Sequence, residues 1–194
     1  MQARAAITGM GLLTPLGRGP EQSWSALAGG SSSLTHDCEG DGPEWMRWAG
    51  RVTEVGLPDE LPRSILSQTR FLNRGGRLGL TAAHDALTVA GSAEHTSAER
   101  RALFLATGDL TAADCESLHP ATSLAAKDNQ VDHKRLNRET VARVNPFFLL
   151  DGLANNPYSV LAAAFGFEGS GTTLASQSPA GAQALDLAFR SVTG

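Results

Sequence analysis

The sequence lacks the features that mark nucleic-acid-binding, membrane-spanning and secreted proteins. Aromatic residues make up only 6%, and 16 Lys and Arg stand against 20 Asp and Glu, which gives a net charge of −4. A chain with so few rings and no basic excess offers little to nucleic acid or to an anionic membrane, so neither is predicted as a partner. No apolar run approaches the roughly 18 residues that a membrane span requires, and the N-terminus has no signal-peptide core.

Cysteine is also scarce. The two cysteines, Cys38 and Cys115, are far apart and have neither C-x-x-C spacing nor the neighbours of a metal site. This usage is typical of the reduced cytoplasm, and we predict a cytoplasmic protein with no metal and no cofactor. The 194 residues, 41% apolar and 19% charged, suit one globular domain over residues 1–194.

Short apolar runs alternate with helical patterns along the chain. The predicted strands are Arg4–Thr8, Ala49–Val55, Arg101–Thr107 and Gly171–Ala175. The predicted helices cover Pro20–Ala28, Ser64–Leu72, Leu78–Ala90, Gly152–Phe165 and the residues after Gly181. This alternation predicts a layered α/β fold. Trp24 and Leu27 share one helix face and are predicted to pack inward, whereas the charged run Lys127–Arg135 is predicted to be a solvated loop.

The last strand leads into a small-residue turn and then into an apolar helix. A strand, a tight turn and a buried helix together expose a nucleophile at a helix N-terminus, where free backbone N–H groups can hold an anion. Ser178 stands in this turn, so two roles are open: a nucleophile, or a structural serine that caps the final helix. A serine nucleophile needs a positioned base, and none of the five histidines stands in a motif that would supply one, which favours the cap.

The final helix is apolar on all sides, with Leu185, Leu187 and Phe189 among alanines. Such a helix is expected to be buried on all sides. No later element follows to cover it, so we predict that the chain completes its interior against a second molecule.

Four stretches resemble the N-terminal half of the β-ketoacyl synthases, the condensing enzymes of fatty-acid and polyketide assembly. They are the opening run Ala6–Gly17, the helix Trp24–Gly30, the helix Leu80–Gly91 and the pieces Asn145–Phe148, Asn155–Asn156 and Phe165–Gly169 that precede the turn. The resemblance implies the N-terminal half only of a thiolase-like fold, a layered α/β structure with a mixed sheet, and association as a dimer.

The same resemblance bears on the site. The family's turn reads Ala-Cys-x-Ser-Gly, and counting back from Gly181 puts Ser178 at the cysteine, followed by Pro179. The family's catalytic histidines and lysine belong to its second half, so no catalytic residue is predicted here. Relatives with glutamine at the cysteine are decarboxylases or chain-length factors, and Gln177 stands one residue too early to match them.

Other candidate residues have two interpretations each. Phe147 and Phe148 either line a substrate tunnel or a partner contact, or they pack in the core. The basic set either meets an acidic acyl carrier protein or forms a solvated face; its members are Arg63, Arg70, Arg74 and Arg77.

The resemblance therefore implies a non-catalytic, chain-length-factor-like subunit. It would form a heterodimer with an active β-ketoacyl synthase in type II fatty-acid or polyketide biosynthesis, aryl polyenes included. The strand Gly171–Ala175 would pair edge to edge, and residues 109–148 would cover the tunnel of the synthase. Two alternatives stay open: an acyltransferase that uses Ser178 as the acyl acceptor with a borrowed base, and the N-terminal part of a full-length ketosynthase.

Overall fold

A computed structural model describes residues 4–36, 47–53, 56–91, 96–108, 121–127, 130–144, 153–176 and 178–194. The helices are α1 Pro20–Ala28, α2 Arg63–Gln68, α3 Arg74–Ala90, α4 His133–Arg143, α5 Asn155–Phe165 and α6 Ala180–Thr193. The strands are β1 Leu13–Thr14, β2 Gly17–Arg18, β3 Leu34–His36, β4 Trp48–Gly50, β5 Leu103–Ala106, β6 Ala126–Lys127, β7 Gln130–Val131 and β8 Gly171–Leu174. Helices and strands thus alternate as the sequence predicts.

The parallel pair β5 and β8 lies at the centre of the fold. Its register joins Leu103 to Gly171 and Ala106 to Leu174. Parallel neighbours need a long crossover, and α4 and α5 lie within it. Helix α6 then returns to pack on both strands. The other described strands form three antiparallel pairs, β1 with β2, β3 with β4 and β6 with β7.

The buried core lies between α2, α3 and α5, on one side of β5. Its fully or nearly buried members are Leu61, Ile65, Leu72, Leu80, Val160 and Leu161. Leu103 and Leu105 of β5 pack against this cluster together with Phe165. The strand pair is therefore fixed to the helices by apolar contacts, the main stabilising term in folding.

The predicted strand Arg4–Thr8 is wrong, because this segment has no strand pairing in the structure. The residues that follow it lie on α3 instead. A Cβ on Gly9 would stand 2.2 Å from the Ala86 carbonyl oxygen, and one on Gly11 would stand 1.8 Å from that of Ala82. Only glycine permits this approach of backbone to backbone.

Helix bounds follow the capping residues. Helix α1 has the predicted bounds, and α3 ends as predicted at Gly91, which has a left-handed φ of 59°. However, α3 begins at Arg74 rather than Leu78, because the Asn73 side chain accepts a hydrogen bond from the Gly76 N–H at 2.8 Å. The helix predicted to start at Ser64 begins one residue earlier, at Arg63, with Pro62 as its N-cap.

Several other predictions need correction. Of the strand predicted over Ala49–Val55, residues 49–50 lie in β4, residues 51–53 are not strand, and residues 54–55 lie outside the described residues. The charged run holds the start of α4, because the Asp132 carboxylate accepts from the N–H groups of Lys134 and Arg135. Trp24 and Leu27 do not pack inward: they are 68% and 57% exposed.

Candidate functional site

The turn that joins β8 to α6 holds Ser178, the residue that the resemblance predicts at the family's nucleophile position. Strand β8 ends at Leu174, Ser176 follows outside it, and Pro179 is the N-cap of α6. Ser178 is exposed in this turn. Gln177, the other candidate of the turn, lies outside the described residues.

Ser178 does not cap α6, so that expectation is wrong. The cap is Pro179, which has no side-chain acceptor, and the Gln183 N–H bonds to the Pro179 carbonyl at 3.0 Å. The serine that contacts the helix is Ser176, whose hydroxyl donates to Oε1 of Gln183. Sequence reasoning missed this pair because a bond that spans seven positions through a turn belongs to no capping pattern.

The start of α6 can attract negative charge. The first N–H groups of any helix have no acceptor within the helix, and here those of Ala180, Gly181 and Ala182 open toward the turn. Their dipoles favour an anion. However, the Ser178 hydroxyl has no hydrogen-bond partner among the described residues. Without a base to take its proton, a serine hydroxyl is a poor nucleophile.

His84 on α3 lies beside two carboxylates and does not contact the Ser178 hydroxyl. Its Nε2 lies 3.1 Å from the Glu60 carboxylate, and its Nδ1 lies 3.6 Å from Asp85. Arg18 donates two hydrogen bonds to Asp85, at 2.8 and 2.6 Å. These bonds from Arg18 hold the pKa of the Asp85 carboxyl below its usual range. The network ties β2 and the loop before α2 to α3.

The other histidines do not reach the turn either, as far as the structure describes them. His36 packs edge-on against Trp48, with ring centroids 5.0 Å apart. His133 begins α4 and is exposed. His95 and His119 lie outside the described residues.

A cavity of about 370 Å³ lies beside the carboxyl end of β5. Its wall on α3 has little side-chain bulk, since Gly75, Gly76 and Gly79 line it, and Thr107 lines the strand side. The Thr107 hydroxyl oxygen is buried and has no partner among the described atoms. Apolar surface from Leu105 and residues of α5 completes the lining.

The cavity and the turn share one edge of the sheet. Ala106 of β5 is in register with Leu174 of β8, so Thr107 and the turn residues both follow the carboxyl ends of neighbouring parallel strands. Ligand sites of open α/β sheets form at this edge. Phe147 and Phe148, the tunnel candidates, lie outside the described residues.

The arginine set forms a positive surface around α2 and the start of α3. Arg63, Arg70 and Arg74 are exposed, and residues 61–84 contain no acidic residue. The Arg70 guanidinium stands 4.6 Å from the centre of the Phe71 ring. Arg74 donates a hydrogen bond to the Val52 carbonyl. Arg77 is half-buried.

Among the described residues, no helix is both long and apolar enough to cross a membrane. No three His, Cys, Asp or Glu side chains in the same part of the chain come together in a way that could hold a metal ion.

Comparison with known proteins places this geometry in a family. The sequence profile of the "Beta-ketoacyl synthase, N-terminal domain" matches residues 2–193. No curated protein sequence matches the chain significantly.

Two solved structures share the fold. A β-ketoacyl synthase from Burkholderia phymatum STM815 is 19% identical, with a TM-score of 0.62 over 97% of this chain and 43% of the other. The ishigamide ketosynthase/chain length factor is 21% identical, with a TM-score of 0.61 over 90% of this chain and 40% of the other. The chain thus spans less than half the length of either structure.

These likenesses confirm the fold class, the N-terminal half of a thiolase-like structure. The family assignment rests on the sequence profile, which covers residues 2–193. The chain therefore belongs to the β-ketoacyl synthase family, whose N-terminal domain it carries.

Proposed function

We propose that this chain is a non-catalytic, chain-length-factor-like subunit that forms a heterodimer with an active β-ketoacyl synthase. The proposal rests on the turn before α6: counting back from Gly181 puts Ser178 at the place of the family's cysteine, and no described base contacts the Ser178 hydroxyl. A thiol acidified at a helix N-terminus attacks a thioester readily, whereas a serine there does not ionise. The proposed role of the chain is therefore to bind the synthase and to shape its substrate tunnel.

The assembly it would serve is a type II fatty-acid or polyketide system, with aryl polyene biosynthesis among the candidates. One of the two similar structures is itself a ketosynthase/chain length factor, which supports the pairing. The cavity beside β5 and the tunnel candidates Phe147 and Phe148 would face the growing acyl chain, and the site would act without metal or other cofactor.

The partner contact is proposed at the free edge of β8. Leu103 N–H bonds to the Ser170 carbonyl, and Thr107 N–H bonds to that of Leu174. Along a strand of a parallel pair, every second residue directs its N–H and C=O groups at the partner strand. Thr172 and Leu174 therefore point their N–H groups at β5. Thr173 between them points its N–H and C=O away. No described strand covers that side, so a strand of the synthase can add to it.

Replacing Thr173 tests this contact. Proline at position 173 removes the outward N–H while keeping the bonds to β5, and proline is tolerated on an edge strand. We expect Thr173→Pro to abolish co-purification with the synthase encoded nearest to this chain. Thr173→Val keeps the N–H group and should still co-purify. Circular dichroism checks that both variants fold.

If both Thr173→Pro and Thr173→Val still co-purify with the synthase, the proposed edge contact is refuted. A synthase that never co-purifies with the unaltered chain, and that works alone at full rate, would refute the subunit role itself. An N-terminal part of a full-length ketosynthase remains the alternative in that case.

An acyl carrier protein is a second proposed partner. Carrier proteins of the implied kind are acidic, and residues 61–84, which hold the four arginines, contain no acidic residue. Opposite charges of this kind speed association and orient it.

The competing enzymatic role rests on Ser178 alone. If the hydroxyl accepts an acyl group with a base borrowed from the synthase, incubation of the complex with acylated carrier protein adds the acyl mass to this chain. We expect no added mass, measured by intact mass spectrometry. An adduct that Ser178→Ala abolishes and Ser176→Ala retains would establish the acyltransferase instead.

A further inference from the structure

His84 faces a carboxylate at each of its two ring nitrogens. Its Nε2 lies 3.1 Å from the Glu60 carboxylate in the loop before α2, and its Nδ1 lies 3.6 Å from the Asp85 carboxylate. The Nδ1 atom is buried and has no hydrogen-bond partner among the described atoms. The Glu60 side chain is 76% exposed and that of His84 is 24% exposed. The ring therefore stands between two negative charges, one at the surface and one farther in.

A neutral imidazole cannot serve both carboxylates. It carries one N–H, so one nitrogen donates a hydrogen bond and the other presents a lone pair. If Nε2 donates to Glu60, the lone pair of the buried Nδ1 faces the oxygen of Asp85. The opposite tautomer satisfies Asp85 and leaves Glu60 without its donor. Only the imidazolium, which has an N–H on both nitrogens, matches the positions of both acceptors.

The charged ring also completes an alternating series of charges. Arg18 of β2 donates two hydrogen bonds to Asp85, and His84 lies between Asp85 and Glu60. With the imidazolium the four charges sum to zero, whereas a neutral ring leaves one negative charge in excess. Unlike charges at these separations attract each other even near a protein surface. The arrangement of the neighbouring charges therefore favours a protonated His84.

The other elements beside the ring bring no competing charge. Helix α5 contributes the Phe165 ring, with 6.3 Å between the two ring centres, and it contains no acidic or basic residue. On α3 the nearest further charge is Arg77, two turns before His84, and in the loop it is Asp59. Neither forms an ion pair with His84 in the described part of the chain. The titration of this ring thus acts mainly on Glu60 and Asp85.

The loop of residues 57–61 has two polar contacts with α3, and they differ in kind. Before its start, the Thr81 hydroxyl donates to the Gly56 carbonyl at 2.9 Å, which is a bond between neutral groups. Near its end, Glu60 meets His84, and histidine is the side chain that ordinarily changes its charge between about pH 5 and 8. Leu61 enters the core immediately afterwards. Only the second contact therefore depends on pH near neutrality.

We propose that His84 is a pH-sensitive contact between α3 and the loop of residues 57–61, which binds Glu60 and Asp85 together when protonated and only one of them when neutral. Because both carboxylates are satisfied by the protonated ring alone, the stabilising effect is present in mildly acidic solution and is lost as the pH rises. The inference does not rest on the proposed pairing with a synthase.

Replacement of two histidines tests this contact. Glutamine keeps a hydrogen-bond donor but carries no charge, and the exposed His133 on α4 is the control. Urea unfolding is measured at about pH 5.5 and about pH 8.5, on either side of the histidine range. We expect His84→Gln to lower the folding equilibrium constant about two- to five-fold more at the lower pH, a modest effect because Glu60 is largely exposed. His133→Gln should show no such loss.

Replacement of two neighbouring carboxylates tests the loop itself. Glu60→Gln removes the partner of Nε2, and Asp59→Asn removes an exposed carboxylate one residue away. The reporter is hydrogen exchange of the Leu61 amide, which bonds to the Pro58 carbonyl, corrected for the intrinsic rate. Between the same two pH values its protection should fall about two- to five-fold in the unaltered chain and in Asp59→Asn. Glu60→Gln should show the lower protection at both.

Either of two results would overturn the inference. They are a cost of His84→Gln that is equal at both pH values, and an exchange profile of Glu60→Gln that equals that of Asp59→Asn. Because the Glu60 side chain is exposed, its replacement keeps the fold, so the exchange experiment decides even where His84→Gln does not fold. A synthase that never co-purifies would leave both results unchanged, which separates this inference from the proposed function.

Discussion

Single glycines determine how the N-terminal segment lies on the protein. Gly9 and Gly11 bring their backbone against α3 with no room for a Cβ. A sequence shows glycine but not its neighbour, so the run before Gly9 resembles a buried strand until the helix beneath it is known. The prediction of a buried strand fails here, because residues 4–8 have no strand pairing and are exposed.

Alanine at position 11 tests this contact. The new methyl group would stand 1.8 Å from the Ala82 carbonyl oxygen, so the segment must move away from α3. We expect Gly11→Ala to lower the free energy of unfolding by about 2–3 kcal/mol, at the upper end for overpacking. Urea unfolding measures the loss.

Gly79→Ala is the control for that experiment. This glycine lies inside α3 and a Cβ there meets nothing within 4 Å. Alanine should raise the free energy of unfolding by about 0.5–1 kcal/mol through helix propensity. Equal effects at both positions would contradict the close approach at Gly11.

At the scale of elements, the bond between Arg18 and Asp85 joins β2 to α3. The Asp85 side chain is 20% exposed and that of Arg18 is 57% exposed. Asp85 has a lower pKa in the folded chain than in the unfolded chain, because Arg18 hydrogen bonds favour its charged form. Its stabilising effect is therefore present above the unfolded pKa, about 3.9, and is lost as the pH falls through the folded pKa.

Asp85→Asn should therefore destabilise the protein at neutral pH only. Since Arg18 is largely exposed, the expected loss is about 0.5–1 kcal/mol at pH 7, and it should vanish in acid below the folded pKa. Thermal melts across this pH range measure the difference from the unaltered chain. Asp186→Asn, which breaks only a surface pair within α6, should cost about 0.3 kcal/mol; an Asp85 effect that is constant with pH would argue against the linkage.

Most of the helices can be predicted from the sequence, although α4 is missed because it begins within the charged run, and where helices begin is predicted less well. Helix α1 is predicted residue by residue because Pro20 and Gly29 bracket it. The start of α3 is missed because Arg74 to Arg77 show no apolar period, and one amide, that of Asn73, determines the boundary. The orientation of α1 is missed too, since Trp24 faces water.

At the scale of the whole molecule, the position of the candidate turn can be predicted from the sequence, but the contacts around it cannot. The resemblance places Ser178 at the nucleophile turn, and in the structure this turn follows the carboxyl end of β8, which pairs with β5. It does not foresee that Ser176 holds the turn to Gln183, or that α3 presents glycines to the cavity. Those depend on contacts between segments far apart in the chain.

The molecule has two unpaired surfaces that differ in kind. The edge of β8 offers backbone hydrogen bonds, which recognise an extended strand of almost any sequence. The outer face of α6, a helix that the sequence analysis predicts to be buried on all sides, carries Leu185 and Val192 at 70% and 69% exposure.

Trp24 and Trp48 stand in water, at 68% and 57% exposure. An indole in water emits at longer wavelength than one enclosed by protein, and small quenchers reach it freely. The chain thus carries its own optical probes on α1 and β4, remote from both unpaired surfaces in sequence. A partner that covers either ring is therefore expected to shift the emission to shorter wavelength, which can be measured without any label.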